Sequence, residues 1–298
     1  MRFDVWMSEI IDSLDQIAAR YDALFVDLWG CLHNGYEPYA DAVLALRRFC
    51  KGGGKVLLLT NSPRPKPSVV RQLDKIGVPR DIYHEIAASG DAAQFGLAAG
   101  AVGYNVYHLG PARDLGFFEG LPAHLMDGKS ITRVPLDQAD GIVCTGLFDD
   151  DIETPEDYTA TFLAAKIRGL KLLCANPDKM VDKGENRIYC AGALAEAYEN
   201  MGGESLYFGK PHPAIYDLAR QRLTALGREI DDSRILCIGD GINTDIRGGI
   251  GEDLDCLFIS GGLAAEETGT ITQPDPQKLQ RFLDAAQTSP LYAIGHLR

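Results

Sequence analysis

The chain has no Cys-x-x-Cys pair, and its seven cysteines follow no framework spacing. An odd count without paired spacing argues against a disulfide scaffold and gives a zinc site no support. Cys144, Cys174 and Cys237 each lie inside an apolar run that reads as a strand, so reduced, buried thiols in a cytoplasmic protein are expected. Long hydrophobic runs are also missing. None approaches the roughly 20 apolar residues of a membrane span. The N-terminus lacks a basic stretch followed by an apolar one, so no signal peptide is expected. Basic residues are in short supply, 29 against 42 acidic, for a net charge of −13. A surface this acidic has no general attraction for nucleic acid or anionic lipid, and neither partner is expected. An anionic small molecule is not excluded, because a metal ion and a few local cations set the sign of a single pocket. Repeats and low-complexity segments are absent as well.

The 298 residues exceed what one core usually serves, and 46% are hydrophobic, enough for two domains. At the N-terminus Trp6, Ile10, Ile11, Leu14 and Ile17 recur at helical spacing behind Ser8, a suitable N-cap. This stripe predicts a helix packed on the protein's own core, with a partner-docking helix as the other reading.

From Tyr21 to Asp27 the chain is apolar and β-prone and ends on a carboxylate. A helix is predicted from Tyr39 to Cys50, stopped by three glycines, then a strand from Lys55 to Leu59 running into Thr60-Asn61-Ser62-Pro63-Arg64. A second helix covers about 68–76. The same style returns late. A helix is read over 213–226, a strand over 234–238 ending in Gly239-Asp240, a strand over 255–259 and a helix over 276–286. Between these stretches lies a separate strand–helix set: strands at 105–109, 140–145 and 170–175, and helices starting at Thr154 and Ala191. The pattern predicts an α/β protein with a Rossmann-like parallel-sheet core, residues 1–87 and 204–298, interrupted by a large inserted α/β cap domain, residues 88–203.

Two apolar strands end in a carboxylate, Asp27 and Asp240. Ligands of parallel α/β sheets bind beyond the carboxyl ends of the strands, so both would face one crevice. Their mutual repulsion would be removed by a hard cation with oxygen ligands, and Mg²⁺ suits a site of few carboxylates and a phosphate. In Gly239-Asp240-Gly241-Ile242-Asn243-Thr244-Asp245 a second carboxylate opens a helix, more than capping alone requires.

Taken in order, Asp27-Leu28-Trp29-Gly30, Thr60-Asn61, Gly209-Lys210-Pro211, and Gly239-Asp240 with Asp245 resemble the four motifs of the haloacid-dehalogenase-like (HAD) superfamily. The long gap between Thr60 and Lys210 is similar to that of subclass IIA, which includes N-acetylglucosamine-operon sugar phosphatases, pyridoxal-phosphate phosphatases and nitrophenyl phosphatases. The resemblance implies a Mg²⁺-dependent phosphatase acting on a small phosphorylated metabolite such as a sugar phosphate. Asp27 would be the nucleophile that forms an aspartyl-phosphate. Asp27, the backbone carbonyl of Trp29 and Asp240 would hold the metal, with Asp245 in support. Thr60 and Lys210 would bind the phosphoryl group. Asn61, Ser62, Arg64, Asn176, Asp178 and His212 are the candidate substrate contacts, although Asn176-Pro177-Asp178 also reads as a simple turn. By the same analogy the chain would pair as a homodimer through the cap.

One position departs from the pattern. Phosphatases of this family usually carry a second Asp two residues after the nucleophile, as the general acid. Here Trp29 stands there, and an indole does not exchange a proton at neutral pH. Three readings stay open: a leaving group that needs no proton, as in an acyl phosphate; a stand-in acid, for which His33 is the first candidate; or a phosphometabolite-binding protein with little turnover. HAD hydrolases of other bonds, such as phosphonates, also lack this Asp.

Overall fold

The structure, a computed structural model, describes residues 8–183, 186–227 and 229–298. In chain order it opens with β1 (Glu9–Ile10), β2 (Ala23–Val26), α1 (Ala40–Lys51), β3 (Lys55–Thr60), α2 (Lys66–Lys75), β4 (Glu85–Ala88) and α3 (Ser89–Ala98). It continues through β5 (Asn105–Leu109), β6 (Thr132–Arg133), β7 (Gly141–Cys144), α4 (Thr159–Ile167), β8 (Lys171–Cys174), β9 (Met180–Lys183), β10 (Asn186–Tyr189), α5 (Ala191–Asn200) and β11 (Glu204–Tyr207). It closes with α6 (Pro213–Thr224), β12 (Ile235–Gly239), a π-turn at Ile242–Ile246, α7 (Arg247–Gly251), β13 (Asp255–Ile259), α8 (Ala265–Thr268), α9 (Pro276–Ala286) and β14 (Tyr292–Ile294).

Two compact units result. The first comprises Met1–Thr60, Leu73–Ile86 and Tyr216–Arg298, and the second Asn61–Gln72 and Ala87–Ile215. The first is built on a seven-stranded sheet of order β1-β14-β13-β12-β2-β3-β4. Every residue of β2 and β12 is buried, which is why these strands read as continuous apolar runs rather than alternating ones. From β2 the chain steps outward through β3, and from β12 it steps the other way through β13 and β14. The direction of winding therefore reverses between β2 and β12, where a parallel sheet opens a crevice at its carboxyl end.

The second unit holds its own sheet, β11-β8-β7-β5-β6, whose pairings are all parallel, and a β9–β10 hairpin. Its core gathers Ile142, Tyr158, Phe162, Leu172, Leu194 and Tyr198 between sheet and helices. The boundary expected at 203/204 lies one strand too early. Glu204 of β11 pairs with Lys171 of β8, so this strand belongs to the inserted sheet, and the chain rejoins the first unit at Tyr216.

The N-terminal helix is a second correction. Trp6 lies outside the described residues. The rest of the stripe forms strand β1, paired in parallel with β14, followed by short 3₁₀ turns at Leu14–Gln16 and Ala18–Arg20. Ser8 precedes a strand rather than a helix and donates its hydroxyl to the Pro290 carbonyl at 2.6 Å. Ile11, Leu14 and Ile17 are buried all the same, because a spacing of three is the period of 3₁₀ turns as well as an approximation to the α-helical one. Among the described residues no helix is long and apolar enough to cross a membrane.

Candidate active site

Val26 of β2 is in register with Ile238 of β12 and with Leu58 of β3. Within two residues beyond this level each strand reaches a residue that carries chemistry. Asp27 donates its amide to the Ile238 carbonyl at 2.9 Å and so continues the ladder. Asp240 follows the last residue of β12, and Thr60 ends β3. Three adjacent strands thus present two carboxylates and a hydroxyl at one end of the sheet, all three residues buried.

Ligand atoms of Asp27, Asp240 and Cys31 lie within 4.8 Å of one another. Space around Asp240 is kept by two glycines. A Cβ on Gly30, whose φ is +73°, would fall 2.2 Å from Asp240 Oδ2, and one on Gly262 would fall 2.0 Å from it. The same oxygen accepts the Leu263 amide at 3.0 Å, which fixes the carboxylate's orientation. Two buried carboxylates this close favour positive charge beside them, and a divalent cation is one way to supply it. The donor set fits a divalent cation.

Asp245 lies outside this three-residue cluster. Its Oδ2 accepts the Gly241 amide at 3.1 Å, and Gly239 must lack a side chain because a Cβ there would come within 2.2 Å of Asp245. The structure therefore engages Asp245 in closing the turn that holds Asp240.

The loop after Asp27 coils back on itself. The amides of Leu32 and His33 both donate to the Leu28 carbonyl, and Gly30 donates to His33. The Trp29 ring meets His33 edge-on, centroids 5.2 Å apart, and rests over Gly35, where a Cβ would fall 2.4 Å from the indole. Gly35 has φ +90°, so Gly35→Ala adds both left-handed strain and a clash. It is expected to lower stability by about 1–3 kcal/mol in urea titration, with the Trp29 fluorescence shifted.

His33 is not built to replace the missing acid. It is fully buried, its Nδ1 accepts the Gly35 amide at 3.0 Å, and its Nε2 finds no partner among the described residues. Burial pushes its pKa down to about 4, so at neutral pH it is a neutral ring with the proton on Nε2. It packs the loop and supports Trp29.

In the second unit Asn61 acts as a clamp. Its Oδ1 accepts the Lys210 amide at 2.7 Å, and its Nδ2 donates to the Lys210 carbonyl at 3.0 Å and to Asp178 Oδ1 at 2.9 Å. Gly209 passes so close that a Cβ would fall 2.5 Å from both Asn61 Oδ1 and Ser89 Oγ. Lys210 is 2% exposed, a rare state for lysine and one that requires compensation. Asn61 thus holds the Lys210 backbone and Asp178 holds Asn61, where substrate contact was expected of both. Asn176 Oδ1 accepts the Asp178 amide at 3.0 Å, the turn role anticipated as its alternative. The His212 ring stacks on Tyr207, centroids 5.0 Å apart and 7° from parallel, and burial lowers its pKa.

Arg64 is also engaged. Its Nε donates at 2.8 Å to Asp114, which is buried, and its backbone amide donates to the hydroxyl of Ser62. Arg64→Ala would strand a buried carboxylate. The expected result is a loss of about 1–3 kcal/mol in stability with KM unchanged, whereas a substrate contact would raise KM. Cys31 of the carboxylate centre and Asp114, the partner of Arg64, were not singled out from the sequence. Cys31's position four after Asp27 was the available signal, and Asp114 had none.

An α/β fold that places buried carboxylates at the reversal point of a parallel sheet defines a Rossmann-like protein with a carboxylate centre whose donors fit a divalent cation. This chain belongs to the haloacid dehalogenase-like hydrolases. That family's model matches residues 24–121, and a second HAD-hydrolase-like model matches residues 207–284. A haloacid dehalogenase-like hydrolase from Brucella suis is 39% identical, with 97% of this chain and 100% of that chain covered and a TM-score of 0.84. An acid sugar phosphatase of Staphylococcus saprophyticus is 25% identical over 250 residues, 83% of this chain and 90% of that one. A glycerol-3-phosphate phosphatase of Gallus gallus is 26% identical over 266 residues, 84% and 83% of the two chains. Phosphatases of this family use a divalent metal.

Proposed function

We propose that the protein is a Mg²⁺-dependent cytoplasmic phosphatase that hydrolyses a small phosphorylated metabolite of the sugar-phosphate class through an aspartyl-phosphate on Asp27. The observation that carries this reading is the pair of buried carboxylates, Asp27 and Asp240, at the ends of the two strands that flank the reversal point. The relatives named acid sugar phosphatase and glycerol-3-phosphate phosphatase support the substrate class.

An oxygen of Asp27 attacks phosphorus and the bond to the leaving oxygen breaks. The Thr60 hydroxyl donates to a phosphoryl oxygen, and Lys210 supplies positive charge, a role that rests on the order of the family's motifs. Water then attacks the acyl phosphate, releasing phosphate and restoring Asp27. Asp27, the Trp29 carbonyl and Asp240 would hold Mg²⁺, which when bound neutralises phosphoryl charge. We assign substrate selection to the second unit.

With Trp29 at the acid position and His33 neutral and buried, this loop offers the leaving group no proton. Turnover is therefore fastest on esters whose leaving group is stable as an anion, and slower on an alkyl ester such as a sugar phosphate. A binding protein with little turnover is the second reading, and the same Trp29 favours it. Phosphate release from a panel of phosphometabolites, with and without Mg²⁺, separates the two. Mg²⁺-dependent release is expected, whereas tight binding with no release would sink the phosphatase.

A further inference from the structure

The carboxylate centre contains a thiol that the proposed chemistry does not use. Cys31 Sγ lies within 4.8 Å of carboxylate oxygens of both Asp27 and Asp240, and Cys31 is 1% exposed. The coil of the loop, with Leu32 and His33 both tied to Leu28, is what brings a residue four positions beyond Asp27 back beside it. Leu263 holds Asp240 through Oδ2, and Gly30 and Gly262 keep side chains away from it.

Two oxygen donors and one sulfur are a mixed set. Mg²⁺ ignores the sulfur, because it is a hard ion that takes oxygen ligands. Zn²⁺ and the softer Cd²⁺ accept carboxylate and thiolate together in compact, low-coordinate geometry. We propose that Cys31 makes this centre a second kind of metal site, one that captures a thiophilic divalent ion in competition with Mg²⁺. On capture the S–H bond breaks, its electron pair goes to the metal and the proton leaves to solvent, with no change of oxidation state. Trace Zn²⁺ would then act as an inhibitor at the centre itself. Capture rests on the three-residue cluster alone, whereas inhibition also rests on the phosphatase reading.

The test titrates Cd²⁺ into the full chain and reads the ultraviolet thiolate-to-cadmium charge-transfer band. Wild-type protein is expected to show a band that saturates at one ion per chain. Excess Mg²⁺ is expected to move the midpoint to higher Cd²⁺, because both ions need Asp27 and Asp240. Cys31→Val and Cys31→Ser should both lose the band, and Cys50→Ser, which removes the partly exposed thiol, should keep it. The paired variants guard against misfolding, since serine nearly matches the thiol in size and valine in apolarity, and circular dichroism selects the folded one. A band retained without Cys31, no band in the wild type, or a band indifferent to Mg²⁺ overturns the proposal. Mg²⁺-dependent phosphate release, measured separately, bears on the phosphatase reading alone.

Discussion

Trp29→Asp is expected to raise turnover of alkyl phosphates by about 10²–10⁴-fold, the usual worth of general acid catalysis. The indole stands two residues after the nucleophile, held between the edge of His33 and Gly35. Without a proton donor, an alkoxide must leave as the anion, and its high basicity sets the barrier. Aspartate is smaller than tryptophan, so the loop can hold it without new strain, and its carboxyl would protonate the departing oxygen and later deprotonate water. Nitrophenyl phosphate should gain little, because nitrophenolate leaves unaided. The discriminating quantity is the ratio of kcat/KM on an alkyl phosphate to that on nitrophenyl phosphate, compared between variant and wild type. An unchanged ratio would mean that another group already supplies the proton, and a loss on both substrates would make Trp29 itself a substrate contact.

Asp27→Asn should have the opposite and larger effect, a fall in kcat of about 10⁴-fold or more, as when a covalent nucleophile is removed. The amide keeps an oxygen near the metal position but no longer attacks phosphorus. Loss of fold does not explain such a result. Asparagine matches aspartate in size and keeps the backbone amide that bonds the Ile238 carbonyl, so the metal-free variant is expected to melt close to the wild-type temperature. Added Mg²⁺ should raise the melting temperature of the wild type and do so less in the variant, by mass action on a weakened site. A variant that loses activity but also melts well below the wild type would assign Asp27 a structural role instead.

The residues at the strand ends were legible because burial on both faces writes itself as an unbroken apolar run. Ala23–Val26, Lys55–Thr60 and Ile235–Gly239 each announce where the run stops, and Asp27, Thr60 and Asp240 stand at or just past those stops. What was hidden depends on contacts distant in sequence. Asn61 meets Asp178 across 117 positions and Arg64 meets Asp114 across 50, so polar residues that looked ready for substrate are engaged with one another. Cys31 lay in plain view beside Asp27, but only the coiled loop turns its sulfur toward Asp240. The N-terminal stripe misled because burial at residues 11, 14 and 17 suits 3₁₀ turns as well as a helix. Strand β11 was placed in the wrong unit because four residues, Glu-Ser-Leu-Tyr, carry no mark of which sheet they join.

The central claim is a covalent bond between Asp27 and phosphorus, and trapping tests it most directly. Enzyme turning over nitrophenyl phosphate with Mg²⁺ would be quenched and treated with borohydride, which reduces an acyl phosphate to the alcohol, and its peptides read by mass spectrometry. The account predicts homoserine at position 27, formed only when substrate and Mg²⁺ are both present. Phosphate release with position 27 unmodified, or with the label on Asp240 instead, would contradict it.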